Sequence, residues 1–300
     1  MTEFHTGFHR VRRILVALDA SAEAETALET AAELAARLQA EVVGLFVEDI
    51  NLLRLAALPF ARELVPGSVR SRTLDPADME RSLRARAEAM KRHLACCAER
   101  ARIHWSFQVR RGDILEELLD SALQADLVVL SEYGRTIVTT RGREPEEGLS
   151  TQVLTRCHCA VLKRGRPRRL QRPVVLFYDG SPASRHGVLL AAQLAGRTDA
   201  CLHVLLPPAE KSQQARHEET VRELLRPAGL TPRFQHLEDL RATTVAQAVA
   251  AAGGDILITG AAILSTMPRT EQQRLEALLD EIHCDLLFVS EDGGRKAEDR

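Results

Sequence analysis

The feature that most constrains the fold of this chain is an internal repeat. Residues 13–19 and residues 173–179 are both short apolar runs that end in an aspartate, and a serine follows two positions later, as Ser21 and Ser181. Each serine is placed to cap a helix that begins there. Two such copies indicate that one structural unit occurs twice along the chain.

The correspondence continues near the end of each copy, where residues 125–130 (ADLVVL) match residues 254–259 (GDILIT). Between the two copies runs a stretch rich in arginine, proline and glycine, a composition typical of linkers. We therefore predict two domains, residues 10–164 and residues 173–292, joined by a basic linker of residues 165–172. A basic patch for an anionic partner is the alternative interpretation of the linker.

Within each copy, short apolar runs alternate with amphipathic stretches whose apolar residues recur at helical spacing. Strands that are apolar on both faces and alternate with helices indicate a parallel sheet covered on both sides. Right-handed connections then produce a doubly wound sheet. The predicted fold class is therefore α/β, with two Rossmann-like domains. The predicted strands are 14–18, 42–47, 103–109, 127–130, 160–162, 174–177, 202–206, 234–237, 256–258 and 286–289.

The first copy is longer than the second, mainly because of the residues between 47 and 107. Within them, residues 49–75 show no clear period but contain several leucines and Phe60. Long loops in compact domains are usually functional or disordered, and this one is too apolar for a disordered tail. We predict a short helix here that covers the sheet or contacts a partner.

The composition excludes several classes of function. Lys and Arg number 40 against 42 Asp and Glu, a formal net charge of -2 that gives no reason to expect a nucleic acid partner. Aromatic residues make up 4% of the chain, too few for base-stacking platforms. No apolar run reaches the roughly 18 residues of a membrane span, and residues 1–13 lack the apolar core of an export signal. We therefore expect a cytoplasmic protein without a membrane span.

Cysteine and histidine occur together at Cys157, His158 and Cys159, and thiolate and imidazole are both zinc ligands. Neighbouring residues of a strand point to opposite faces, however, so one strand does not readily aim all three at one ion. We expect a packing role and no metal site. Cys97 lies on the apolar stripe of residues 83–97 and is predicted to be a core thiol.

Three segments of the first copy resemble the universal stress protein family. They are residues 14–38 (a strand, the Asp-x-Ser motif and a helix), residues 125–136 (ADLVVLSEYGRT) and residues 153–162 (VLTRCHCAVL). The second copy matches more weakly, through residues 174–181 and residues 282–289. The whole chain thus resembles a tandem universal stress protein.

This resemblance implies a five-stranded parallel sheet of order 3-2-1-4-5 in each domain and a role in stress response. Single-domain members of the family pair through their last strands, so the resemblance also implies an intramolecular pseudo-dimer. The pairing strands would be residues 160–162 and residues 286–289. A homodimer of two chains is compatible with this arrangement.

Many members of the family bind ATP through the motif Gly-x2-Gly-x9-Gly-Ser/Thr after the fourth strand. Glycines let backbone N–H groups approach the phosphates, and the following helix N-terminus favours negative charge. In the first copy, Ser131 replaces the first glycine, Gly134 matches the second, and residues 144–145 (Glu-Pro) replace the final pair. The nearest substitutes for that pair are Gly148 and Ser150.

The resemblance also implies that the aspartate after the first strand and a residue of the second strand hold the adenosine. These positions are Asp19 and Val42 in the first copy. In the second copy, the aspartate is Asp179 and the first motif glycine is Gly260. Ile263 replaces the second glycine there, and its side chain would crowd a close backbone approach. The second copy is therefore the weaker candidate for ATP.

Two functional hypotheses follow. The first is a non-enzymatic ligand-sensing or interaction protein whose nucleotide motifs are degenerate in both halves, acting through a small ligand or an unknown protein partner. The second is an ATP-binding protein with weak ATP hydrolysis in the first domain. A third alternative is a different ligand in the same cleft, lipid-like or metal, reached through residues 52–60. The sequence holds no Ser-His-Asp order, His-Glu-x-x-His motif or P-loop, so no catalytic residue is assigned.

Overall fold

The computed structural model of the chain describes residues 10–18, 22–58, 60, 62–64, 71–73, 75–130, 152–153, 156–157, 159–163, 173–195, 202–260 and 268–290. The strands are β1 (Arg13–Leu18), β2 (Glu41–Asp49), β3 (Arg62–Leu64), β4 (Ser71–Thr73), β5 (Trp105–Gly112), β6 (Leu127–Leu130), β7 (Ala160–Lys163), β8 (Val174–Phe177), β9 (Leu202–Leu206), β10 (Arg233–His236), β11 (Ile256–Gly260) and β12 (Asp285–Val289). The α-helices are α1 (Ala22–Leu38), α2 (Ile50–Ala56), α3 (Pro76–Ala101), α4 (Ile114–Ala122), α5 (Pro182–Ala195), α6 (Lys211–Leu225), α7 (Ala242–Ala252) and α8 (Arg269–Glu281).

Ten of these strands form one sheet, in the order β10-β9-β8-β11-β12-β7-β6-β1-β2-β5. Neighbouring strands in it are parallel, except that β7 and β12 are antiparallel. β3 and β4 form a separate antiparallel hairpin. The predicted α/β fold with a mostly parallel sheet is confirmed.

The β7–β12 pair, which we call the seam, joins an N-terminal half (residues 10–163) to a C-terminal half (residues 173–289). These are the two strands that the sequence predicts to pair. Leu162 lies opposite Leu287 in the seam, and the two side chains are 0% and 2% exposed. Lys163 Nζ lies 2.6 Å from Glu276 Oε2 of α8, so an ion pair also crosses the seam. The seam is therefore part of the protein interior.

Helices cover both faces of the sheet. On one face, α1, α3, α5 and α6 share a continuous apolar core with strands of both halves, and α1 contacts α5 across the seam. On the other face, α4 packs on the N-terminal half, while α7 and α8 pack on the C-terminal half, in two separate cores. In the described parts of the chain, no helix is both long enough and apolar enough to span a membrane.

Local sequence determines where the helices begin and end, as α3 illustrates. Its first residue is Pro76, and the preceding Asp75 carboxylate accepts a hydrogen bond from Ala77 N at 2.8 Å. The helix is terminated by Arg102, whose backbone is left-handed with φ 53°. Cys97 of this helix is 3% exposed, which confirms that it is a core thiol.

The largest difference from the sequence-based expectation lies within residues 49–75. The predicted short helix is present as α2, which is capped by Asp49 and packs Leu53 against the core. The β3–β4 hairpin was not predicted, because strands of three residues are too short to show a period of two. β5 also begins two residues later than predicted, at Trp105. The linker, residues 165–172, lies outside the described residues.

Candidate functional site

The sheet has a topological switch point in each half. The chain leaves β8 toward β9 and leaves β11 toward β12, on opposite sides, and it leaves β1 and β6 in the same divergent way. Ligands of open α/β sheets bind outside the carboxyl ends of the strands at such points. In the C-terminal half, Asp179 follows β8 closely and Gly260 is the last residue of β11. We call the space between these two strand ends the crevice.

The corresponding place in the N-terminal half is described only up to the ends of its strands. Val16 of β1 lies beside Val129 of β6, so the two strands end at the same edge of the sheet. The predicted site residues that follow them lie outside the described residues: Asp19, Gly134, Gly148 and Ser150.

Val42 is described, and the structure places it away from the expected position. It lies beside Ile14 at the amino end of β2 and is 0% exposed. The last residue of β1, Leu18, lies beside Phe46 instead. Because a strand rises about 3.3 Å per residue, Val42 is roughly 13 Å from the carboxyl edge. The expectation is corrected accordingly: Val42 is a core residue, since an apolar run identifies a strand but not the residue that reaches its end.

Asp179 organises the start of α5. Its Oδ1 accepts a hydrogen bond from Ser181 N at 2.9 Å, and Ser181 Oγ accepts one from Ser184 N at 3.2 Å. The predicted capping role of Ser181 is therefore confirmed. Burial of the Asp179 carboxyl raises its pKa, but hydrogen bonds from Ser181 and Ser184 outweigh this effect and leave the pKa below its ordinary value. Asp179 is thus ionised at neutral pH and already bound by donors of the protein.

Gly260 lets β11 approach α5 closely. A Cβ atom at this position would lie 3.0 Å from Ala183 Cβ and 3.8 Å from both Ser181 Oγ and Ser184 N. Packing of a strand end against the first turn of a helix therefore explains the glycine. The structure brings Asp179 and Gly260 to the same helix turn, as parts of one crevice.

A polar cleft of about 500 Å³ opens beside the crevice, between the end of β8 and α6. Its size is within the range of small-molecule sites. Two arginines and one glutamate supply its charges, and guanidinium groups bind carboxylates and phosphates with paired hydrogen bonds. We call it the α6 cleft, and its lining includes Tyr178, Arg185, Glu210, Arg216, His217 and Thr220.

Tyr178 forms the floor of the α6 cleft. The residue is 1% exposed, and its hydroxyl is hydrogen-bonded with Arg185 and Thr220. Its ring meets His217 edge-on, with 5.4 Å between the ring centroids and an angle of 87° between the ring planes. Burial raises the pKa of Tyr178, although the nearby Arg185 acts in the opposite direction. The phenol is therefore neutral at neutral pH and serves as a hydrogen-bonding group.

The contact between Tyr178 and His217 also requires a glycine at position 180. Its φ of 84° is left-handed, and a Cβ atom there would lie 2.7 Å from His217 Nε2. Sequence reasoning did not identify the α6 cleft, because Tyr178 and His217 belong to different elements. One signal was available, since Tyr178 and Gly180 flank Asp179 within the repeated motif.

The described part of the chain includes Cys157 and Cys159 but not His158. No group of three or more His, Cys, Asp or Glu side chains lies close enough there to hold a metal ion. The chemistry of the α6 cleft is that of positive charge and hydrogen-bond donors, which suits an anionic ligand.

Comparison with known proteins agrees with this architecture. The sequence profile of the universal stress protein family matches residues 10–162, just over half of the chain. The chain belongs to the universal stress protein family. No curated protein sequence matches it.

Solved structures of similar fold extend over both halves of this universal stress protein. A universal stress protein from Archaeoglobus fulgidus DSM 4304 has a TM-score of 0.68 at 13% identity, with 94% of this chain and 100% of that chain covered. A functionally unknown protein from Pseudomonas aeruginosa PAO1 has a TM-score of 0.55 at 15% identity, with 95% and 94% covered. A proposed universal stress protein from Pseudomonas aeruginosa UCBPP-PA14 has a TM-score of 0.54 at 16% identity, with 95% of each chain covered. These similarities establish the fold.

Removing the cap of α5 is predicted to destabilise the protein. Ser181→Ala should lower the free energy of unfolding by about 1 kcal/mol. Asp179→Asn should also destabilise at neutral pH. Because the folded-state pKa of Asp179 lies below its unfolded value, its carboxylate contributes stability above the unfolded pKa, and this is lost as the pH falls through the folded pKa. The difference in stability between wild type and Asp179→Asn should therefore shrink in acid.

Urea unfolding at neutral and acid pH measures these effects. Ser82→Ala, at an exposed position of α3, is the matched control and should change the free energy of unfolding by no more than about 0.5 kcal/mol. An effect of Asp179→Asn that is equally large in acid would contradict the role assigned to the ionised carboxylate.

Proposed function

We propose that this universal stress protein contains two universal stress protein domains, residues 10–164 and residues 173–292, joined by the linker of residues 165–172. The strands of the large sheet support this division. Counted in chain order within each half, β5-β2-β1-β6-β7 and β10-β9-β8-β11-β12 both follow the order 3-2-1-4-5. The Archaeoglobus fulgidus protein, which is matched over its whole length, supports a unit that includes both halves.

We further propose that the protein acts in stress response as a non-enzymatic ligand-sensing protein. The observation that carries this proposal is that Asp179 and Gly260 already contact the start of α5. The Asp179 carboxylate accepts a hydrogen bond from Ser181 N, and Gly260 makes room for Ala183. Groups that the family resemblance assigns to a nucleotide are used in this half to begin α5.

The α6 cleft is the proposed ligand site of the C-terminal domain. Its volume of about 500 Å³ fits a small molecule. Arg185 and Arg216 oppose the single carboxylate of Glu210, so the lining favours an anionic ligand. The Tyr178–His217 contact links β8 to α6 beneath the cleft, so a bound ligand would stabilise the position of the helix on the sheet.

ATP binding with weak hydrolysis in the N-terminal domain is the second candidate function. The side-by-side ends of β1 and β6 favour it, because these strands lead to the positions where the family binds nucleotide. The nucleotide-binding residues would be Asp19, Gly134, Gly148 and Ser150.

Calorimetry with Mg-ATP, on protein freed of co-purified nucleotide, separates the two functions. The non-enzymatic proposal predicts no binding of Mg-ATP that depends on Asp19. Micromolar binding, about -8 kcal/mol, that is lost in Asp19→Ala but kept in Asp179→Ala would instead support ATP binding by the N-terminal domain. The reverse pattern would contradict the assignment of Asp179 to the start of α5.

The α6 cleft is tested with inorganic phosphate as a probe anion. Phosphate stabilises many proteins without specific binding, so the test compares two variants of the same helix. Arg216→Gln removes a charge from the cleft, whereas Arg222→Gln removes a guanidinium that lies 4.8 Å from the centroid of the Phe234 ring, outside the cleft lining. Phosphate is predicted to raise the thermal midpoint of Arg216→Gln less than that of Arg222→Gln or wild type. Equal increases in all three would show that the cleft does not bind anions.

A further inference from the structure

Cys157 and Cys159 lie one residue apart just before β7, and the proposed function does not involve them. Cys157 N donates a hydrogen bond to Val153 O at 2.8 Å, which holds the chain at this point. Cys159 immediately precedes Ala160, the first residue of β7. Both side chains pack against the same apolar core, one residue apart along the chain, and they lie close enough for each thiol to shift the pKa of the other. A disulfide requires sulfur atoms that approach each other without a large backbone movement, and this proximity favours that approach.

The surroundings of the two thiols differ. Cys159 is 5% exposed and belongs to the apolar core that includes Leu118 and Val161. Cys157 is partly buried and packs against the edge of the same core. A small solute therefore reaches Cys157 before it reaches Cys159.

The pKa values of the two thiols also differ, and the lower pKa belongs to the more accessible thiol. The neighbouring Cys159 thiol lowers the pKa of the Cys157 thiol, burial opposes this, and the charge of Arg156 lowers the pKa further. The neighbouring Cys157 thiol raises the pKa of Cys159, and so does burial. The thiolate thus forms at the more accessible of the two sulfurs, and the thiolate is the nucleophilic form.

We propose that Cys157 and Cys159 form a dithiol that a hydroperoxide converts to a disulfide. The Cys157 thiolate attacks one peroxide oxygen, the O–O bond breaks, and a sulfenic acid forms while the other oxygen leaves and takes up a proton. The Cys159 sulfur then attacks the Cys157 sulfur, and the hydroxyl leaves as water with the Cys159 proton. Two electrons pass from the thiols to the peroxide. With hydrogen peroxide, the products are one disulfide and two waters.

The other described cysteines lack this arrangement. Cys97 and Cys284 are 3% and 2% exposed, and burial raises the pKa of both thiols. Cys96 is exposed on α3, which makes it an internal control for unselective oxidation.

Peptide mass spectrometry of the full-length protein tests the proposal. The protein is reduced, treated with hydrogen peroxide and then alkylated. Trypsin cuts after Arg156 and after Lys163, so both cysteines lie on one peptide of residues 157–163. We expect this peptide to carry no alkyl group and to be lighter by the mass of two hydrogens, while Cys96 remains alkylated. Reduction after the peroxide treatment should restore both alkylation sites.

Variants identify the order of the two steps. Cys159→Ser is expected to stop the reaction at a Cys157 sulfenic acid that dimedone traps, and Cys157→Ser should leave Cys159 alkylated. Cys96→Ser is the matched control and should form the disulfide as wild type does. The proposal is overturned if the wild-type peptide stays fully alkylated, if Cys157 becomes a sulfinic acid while Cys159 stays alkylated, or if Cys96 is oxidised at the same peroxide concentration. Wild-type protein alone decides these three outcomes, so a variant that fails to fold does not affect the test.

Discussion

The antiparallel pairing of β7 with β12 is the interaction on which the rest of the structure depends. Without it, each half would expose a strand edge with unpaired backbone groups, which is a site for unwanted association. The last strand of each half pairs with the other here, and the two strands run antiparallel. The seam therefore produces one ten-stranded sheet in which Leu162 and Leu287 are interior residues.

The position of the seam also determines how the candidate sites relate to each other. β6 and β11 separate the seam from the switch-point strands β1 and β8, so the two strand-end regions are distinct places. The helices that follow these strands, α1 and α5, nevertheless contact each other across the seam. Asp179 and Ser181 form the start of α5, so the crevice and the contact between the two halves share one helix. The proposed dithiol precedes β7 itself, which places an oxidisable group beside the strand that joins the halves.

Interior strands were predictable from sequence because both of their faces are apolar. β8 and β9 have the predicted bounds, whereas the edge strands β5 and β10 mix exposed and charged residues and are shifted from theirs. The family resemblance led to Asp179 and Gly260, which the structure places just after β8 and at the end of β11. The position of Val42 was not, because the register between neighbouring strands is not encoded in either strand alone. The Tyr178–His217 contact was not predictable for a related reason, since it joins residues of different elements.

Native-state hydrogen exchange, resolved to single amides, tests most directly whether the seam unites the two halves. The account predicts that amides of β7 and β12 exchange as slowly as those of β6 and β11, because all four strands lie in the interior of one cooperative sheet. Fast exchange in β7 and β12 next to slow exchange in β6 and β11 would show two separate sheets and would contradict it.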